Sequence, residues 1–364
     1  MVQSVKFEQH KNTGSCTFGA VRQEHRVILT ITPNAAVDKT YRIDGFELDR
    51  VNRPSQSLTV AGGKGINVAR VYQTLGGKAV ASGFLGGLNG SVIAKSLSLE
   101  SISSEFVQVD GESRVCIAVI DPTTGFQTEI NESGPTISAD NIADLREKVR
   151  TLLLEQSFEF IALCGSLPPG APVSLFAELI TLARSFDVKS VLDTSGEPLI
   201  LGLEARPWMV KPNLFELQAV FDGPLTDRSA QLAAVNRMHA RGVEVVALTL
   251  GSKGAIASAK LCGEADAIVW QATPPPIEFA SAVASGDSFL AAFLWSWNHS
   301  DKYDDNSPVD KLERALRLGT GAGAANAAEI GAGFCSRSSI LSAAERAQTL
   351  RIDSINGARN GSFT

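Results

Sequence analysis

From Arg26 onward, short β-branched runs alternate with helical periods, and this alternation constrains the chain more than any other feature. "RVILTIT" predicts a strand, "GINVARVYQTLGG" a helix stopped by glycine, "KAVASGF" a strand and "GSVIAKSLSLE" a helix. The pattern resumes with strand "FEFIALCGS", helix "PVSLFAELITLARSF", strands "VKSVLDTS" and "WMVKPN", helix "RSAQLAAVNRMHARG" and strand "EVVALTL". Strands separated by helices of about 10 to 15 residues make βαβ units, hence an α/β fold with a mostly parallel sheet and helices on both faces. Ligands in such sheets bind beyond the carboxyl ends of the strands.

Two segments break the rhythm. "KTYRIDGFELDRVNRPSQSLTV" and "FVQVDGESRVCIAVIDPTTGFQTEIN" show alternation and turn signals without a helix, the second with a hairpin around "DPTTG". Together, over about 39–60 and 106–132, they predict a small antiparallel sheet projecting from one main domain, 26–350. Residues 1–25 lack the apolar core of a signal peptide and read as a polar extension, and 351–364 read as a tail. No run reaches membrane-spanning length, so no membrane partner is expected.

With 364 residues, 44% of them hydrophobic, the chain can bury a large core without staples. Its five cysteines (Cys16, Cys116, Cys164, Cys262, Cys335) are widely spaced and form no CxxC pair, which points to a reducing cytoplasm and away from zinc or disulfides. The four histidines (His10, His25, His239, His299) lie at no ligand spacing, so a histidine metal centre and a Ser-His-Asp hydrolase are both disfavoured. A net charge of −6 argues against nucleic acid as the main partner. Chemistry is therefore expected from carboxylates, lysines and backbone amides.

Five loops could supply it. "VAGGKGINVARV" sets Gly62, Gly63 and Gly65 around Lys64 at a helix start, either an anion-approach loop or a tight strand-to-helix turn; no Ser or Thr follows Lys64, so it is not a Walker A loop. "GFLGGLNGS" has the wrong spacing for a dinucleotide loop and reads as a structural turn. In "VKPNLFELQ", with Lys211, the pair Asn213 and Glu216 suits a hydrated Mg²⁺ near phosphates or, as the segment alone favours, a helix capping box. "LTLGSKGA" offers Thr249, Gly251 and Gly254 as a phosphate-approach turn or a hairpin bend. In "VASGDSFLAAFLWSW", Phe289, Phe293 and Trp297 mark a buried helix starting near Asp287. Ala284, Ser285 and Gly286 would present amides at its positive end, and Asp287 is either the helix cap or a base.

These pieces, with "TPNAAVD", "RVNR", "INESGP" and "CGSLPPG", occur in an order that resembles the ribokinase-like phosphofructokinase B sugar kinases, particularly the 1-phosphofructokinase and tagatose-6-phosphate kinase branch. The resemblance runs from about Val27 to Phe334 and implies a three-layer α/β/α sandwich with a β lid through which two chains pair. It implies ATP and Mg²⁺ as cofactors and a sugar-phosphate substrate. By it, Asp287 is the base, and Ala284, Ser285 and Gly286 form an anion hole. Asp38, Gly62, Gly63, Lys64 and Asn67 hold the sugar, with Ser166 nearby, while Arg114 and Arg53 bind the substrate's phosphate. Lys211, Asn213 and Glu216 make the metal and phosphate environment, and Thr249, Gly251 and Gly254 the nucleotide loop.

The implied reaction is phosphorylation of fructose 1-phosphate, with tagatose 6-phosphate and fructose 6-phosphate as alternatives. Relatives usually carry Gly at the position of Ala284 and Pro at that of Ala35, and the 1-phosphofructokinase branch often has Asn and Lys where Cys116 and Ala118 stand. Those departures are the support for another class, a non-catalytic sugar-phosphate-binding regulator; the presence of Asp287 opposes it. A nicotinamide dehydrogenase would need GxGxxG and a following acid, and the sequence has neither.

Overall fold

A computed structural model describes residues 27–221, 223–260, 267–300 and 307–352. The extension at 1–25 lies outside the described residues, as does the tail from 353 onward. The main sheet contains β1 (Val27–Thr32), β4 (Lys78–Gly86), β5 (Ser103–Val109), β8 (Phe158–Cys164), β9 (Lys189–Asp193), β10 (Met209–Val210), β11 (Val245–Thr249), β12 (Ala255–Ala259), β13 (Ile268–Thr273) and β14 (Gln348–Ile352). Their order is β14-β13-β12-β11-β10-β9-β8-β1-β4-β5. Every pairing from β11 to β5 is parallel, and β12, β13 and β14 extend the sheet in antiparallel fashion. Arg351 and Ile352, expected in the tail, are thus the end of an edge strand.

The small sheet consists of β2 (Ala36–Arg42), β3 (Gln56–Gly62), β6 (Arg114–Asp121) and β7 (Phe126–Asn131), in the order β3-β2-β6-β7. Each hairpin is antiparallel, and the two are joined by a parallel β2–β6 pairing. The "DPTTG" turn forms as expected. Asp121 holds it by accepting from Thr123 N and Oγ1 (2.9 and 2.7 Å), and also accepts from the Gly45 and Phe46 amides (both 3.0 Å), tying the two hairpins together. One boundary shifts. Residues 106–109, expected in the small sheet, belong to β5, because Val107 and Phe106 pack into the cores on opposite faces of the main sheet.

Two apolar cores sandwich the main sheet. Ile28 of β1 packs with α1 (Lys64–Thr74), α2 (Gly87–Leu99), α8 (Ser285–Asn298), α9 (Pro308–Ala327) and α10 (Arg337–Arg346), whereas Leu29 and Ile31 face α3 (Ala139–Glu155), α4 (Leu175–Ser185), α5 (Gly196–Glu204), α6 (Leu214–Val220) and α7 (Arg228–Ala240). The period of two along the strand sends alternate side chains into opposite cores, which makes three layers. On α8 the predicted four-residue repeat is a stack, with ring centroids 5.9 Å apart for Phe289–Phe293 and 6.0 Å for Phe293–Trp297. Among the described residues no helix is long and apolar enough to cross a membrane.

Candidate active site

At the carboxyl ends of the parallel strands lies a cavity of about 1070 Å³, bordered by the small sheet, α1 and the start of α8. The order β8-β1-β4 makes β1 a switch point, where loops on either side diverge and leave a crevice. Of the residues singled out in the sequence, the cavity wall carries Asp38, Gly63, Lys64, Asn67, Arg114, Lys211, Asn213, Glu216, Thr249, Gly251, Gly254, Ala284, Ser285, Gly286 and Asp287.

Asp287 is not the helix cap. Ala284 occupies the N-cap position, and Asp287 sits in the first turn of α8 with Oδ2 accepting from Asn67 Nδ2 at 2.9 Å. Burial, reinforced by Asp193, pushes its carboxyl up to about 6, against the opposing pull of Lys64, Asn67 and Lys211. First-turn amides have no intrahelical partner. Ser285 N donates to Ala282 O (3.3 Å) and Ser288 N to Ala284 O (2.8 Å), so the amides of Gly286 and Asp287 remain for an anion.

Below them is a buried charge cluster. Asp193, at the end of β9, takes Lys64 Nζ on Oδ1 (3.0 Å) and Lys211 Nζ on Oδ2 (3.1 Å). Lys64 also reaches Glu216 Oε1 at 3.3 Å. Burial works to raise Asp193, but the two lysines outweigh it and hold the carboxyl below its ordinary value. Lys211 Nζ lies so near the α8 turn that a Cβ on Gly286 would be 3.3 Å from it, which places an ammonium beside the free amides.

The Asn213–Glu216 pair forms the capping box. Asn213 Oδ1 accepts from Glu216 N (2.8 Å), and Glu216 Oε2 accepts from Asn213 N (2.9 Å). Thr249, Gly251 and Gly254 form the bend between β11 and β12, and the bend borders the cavity. In both loops the plain structural reading is realised, at a position that faces the cavity.

On the small sheet, register aligns Asp38 with Cys116 and Asn131, and Thr40 with Ala118 and Glu129, all on the cavity wall. Asp38 is pushed up to about 6 by burial, against Arg114 and Arg70. Gly62 does not line the cavity. A Cβ there would fall 2.0 Å from Asp38 Cγ, so its bare backbone makes room for that carboxylate. Gly63 caps α1 at φ 108°, a conformation that favours glycine. Two further expected substrate residues lie off the wall: Arg53 is exposed in the β2–β3 connection, and Ser166 is exposed with its hydroxyl accepting from Asn34 Nδ2 at 3.4 Å.

The sequence profile of the pfkB family carbohydrate kinases matches residues 23–339. The chain belongs to that family. The kinase is 36% identical over 268 residues to a tagatose-6-phosphate kinase of Staphylococcus epidermidis (73% of this chain, 83% of that protein). It is 37% identical over 269 residues to a 1-phosphofructokinase of Rhodobacter capsulatus (73% and 82%). Its fold superposes on phosphofructokinase-2 of Escherichia coli, solved with substrates and products, with a TM-score of 0.77, 27% identity and coverage of 87% and 98%.

Three residues of the kinase's site carried no local signal. Asp193 stands alone at a strand end, and only the fold brings it to its partners, Lys64, 129 positions earlier in the chain, and Lys211, just past the far end of the next strand. Asn326 of α9 is fully buried and braces the α8 turn, donating to Val283 O (2.6 Å) and Ser285 Oγ (3.2 Å) while accepting from Gly333 N (2.8 Å). Arg70 lies one turn beyond Asn67 and donates to its Oδ1 at 2.9 Å.

Ala284 has φ 60° and ψ 10°, the left-handed region, which explains why the position suits glycine. Ala284→Gly relieves about 1–2 kcal/mol of that strain, more than the ~0.4–1 kcal/mol of chain entropy that glycine costs. Urea unfolding is expected to show the variant unchanged or up to ~1 kcal/mol more stable; a clear loss would contradict the strain.

Proposed function

We propose that the kinase transfers the γ-phosphoryl group of ATP to a ketohexose phosphate, with fructose 1-phosphate as the leading acceptor and fructose 1,6-bisphosphate as product. The observation that carries this reading is a buried carboxylate, Asp287, beside unpartnered helix amides and the Lys211 ammonium, in a cavity whose far wall supplies Arg114. The relatives named tagatose-6-phosphate kinase and 1-phosphofructokinase support the acceptor class.

In this reading Asp38 receives sugar hydroxyls and Arg114 the acceptor's phosphate. The Arg114 guanidinium is held against the Asn34 and Glu132 carbonyls (3.1 and 3.4 Å). Asp287 takes the proton from the acceptor's C6 hydroxyl, that oxygen bonds to the γ-phosphorus, and the bond to the departing ADP oxygen breaks. The α8 amides and Lys211 offset charge on the phosphoryl oxygens. The small sheet covers the cavity and keeps water from the reacting phosphate.

Mg²⁺ fits the donor set as a hydrated ion. Both Asp193 oxygens and Glu216 Oε1 already meet lysines, and Glu216 Oε2 and Asn213 Oδ1 close the capping box, so only their remaining lone pairs would be open to the ion's waters, and the ion when bound would supply charge neutralisation across the phosphates. The cytoplasm is the proposed location, in keeping with free cysteines at Cys116, Cys164 and Cys335.

ADP formation measured over a panel of sugars and sugar phosphates tests the reading; no turnover with any of them would refute it. Arg114→Met is expected to raise KM for the phosphorylated acceptor about 10- to 100-fold while leaving KM for ATP within about threefold. Equal wild-type kcat/KM on fructose and its 1-phosphate would remove Arg114 from that role. Pairing of two chains through the small sheet is part of the same proposal. Phe126 and Ile130 are exposed on the face of β7 that points away from the cavity-lining Glu129 and Asn131, and sedimentation of Phe126→Asp/Ile130→Asp is expected to show monomer where the unaltered chain is a dimer.

A further inference from the structure

The geometry points to Arg70 as a positioning residue that fixes which way the Asn67 amide faces and thereby keeps a donor, not an acceptor, against Asp287. Arg70 is 5% exposed and fully engaged. Nη1 donates to Asn67 Oδ1 (2.9 Å) and Ala332 O (2.9 Å), Nη2 to Ala61 O (2.7 Å) and Glu100 Oε1 (3.2 Å), and Nε to Glu100 Oε2 (2.5 Å). The guanidinium also stacks on Phe334, 4.6 Å from the ring centroid.

An asparagine amide has a donor end and an acceptor end, and the two are nearly the same shape. Guanidinium N–H groups only donate. The end of Asn67 that meets Arg70 must therefore be Oδ1, which leaves Nδ2 for Asp287 Oδ2 at 2.9 Å. With the amide reversed, its oxygen would face the carboxylate, and two acceptors at that distance in a buried site repel. The fork on Arg70 excludes this state through three elements at once: the end of β3 (Ala61), the residue after α2 (Glu100) and the loop before α10 (Ala332).

Other charged and titratable groups bear on Asp287. Asp193 at the end of β9 and Asp38 of β2 oppose its ionisation; Lys64 of α1 and Lys211 after β10 favour it; the Cys164 thiol at the end of β8 is also close enough to interact. None of these contacts the Asn67 amide in place of Arg70. They set a background on which amide direction acts.

The inference rests on the proposed role of Asp287 only for its kinetic arm. Arg70→Met keeps much of the apolar stem and removes the fork. In the folded variant, kcat is expected to fall about tenfold or more with both KM values within about threefold, since the defect is in the base rather than in binding. The acid limb of the kcat–pH profile is expected to move upward by about half a unit or more. The Asp287 carboxyl, followed by ¹³C NMR titration and assigned with Asp287→Asn, is expected to titrate higher by the same amount, and this arm needs no turnover. An unmoved titration midpoint in folded Arg70→Met overturns the proposal even if activity has dropped, because a merely structural role lowers activity without moving it. If Arg70→Met does not fold, Arg70→Gln keeps a polar side chain whose amide can accept as well as donate and so no longer fixes the direction of Asn67. A midpoint raised in that variant supports the proposal, and one identical to the unaltered protein overturns it. Absence of wild-type turnover would refute the kinase reading and leave the titration result to stand by itself.

Discussion

Asp287→Asn is expected to lower kcat by about 10²- to 10⁴-fold, with KM for ATP and acceptor changed little. The amide has nearly the same shape and can still accept from Asn67 at the position of Oδ2, so the variant separates basicity from position. With Asp287 as the proposed base, activity requires it ionised and is expected to fall as pH drops through about 6, and Asp287→Asn removes that limb from whatever rate remains. Stability carries the opposite sign. A carboxyl raised by burial binds its proton more tightly folded than unfolded, so at neutral pH the ionised group opposes folding, and its opposition fades as pH falls through about 6 towards the ordinary carboxylate range. The variant is therefore expected to unfold at no lower urea concentration than the unaltered chain at pH 7. Undiminished turnover would show that another group takes the proton.

Asp193→Asn is expected to do the reverse to stability. The carboxylate is fully buried and bridges two ammonium groups, of which Lys211 is 4% exposed and has no other ionic partner among the described residues. Losing the shared acid leaves a buried cation uncompensated, a cost of about 3 kcal/mol or more by urea unfolding at pH 7. Because the folded-state carboxyl lies below its unfolded value, this stabilisation is present at neutral pH and is lost as pH falls through that lowered value. The gap between variant and unaltered protein should accordingly narrow in acid. Lys211 would also no longer be held beside Gly286, and kcat is expected to fall by about 10²-fold for loss of a positioned charge. A variant with unaltered urea midpoint would show that the lysines are held by other means.

The two variants divide along the line between local and distant information. Asp287 was visible in the sequence because the stretch around it has a helical period and a cluster of small residues. That it does not cap the helix was not visible, since Ala284 takes the cap position, and neither was its contact with Asn67, 220 positions away. The Asn213–Glu216 box was legible in full because three-residue spacing brings those groups together within one turn. Arg53 and Ser166 were placed by motif order, but where an exposed loop ends up depends on packing beyond that motif. The same holds for 106–109, whose alternation suits either sheet until the burial of Val107 decides.

By itself, then, the sequence determined the α/β layering, the two hairpins of the small sheet and the loops that meet at the strand ends, all of which follow from periods of 2 and 3.6 and from turn residues within a few positions. Only the tertiary structure decided the state of the chemistry. The convergence of Lys64, Lys211 and Glu216 on Asp193, the raised carboxyls of Asp38 and Asp287, and the Arg70 fork behind Asn67 all depend on bringing segments far apart in the chain into one water-poor site, where burial and neighbouring charge set the proton affinities.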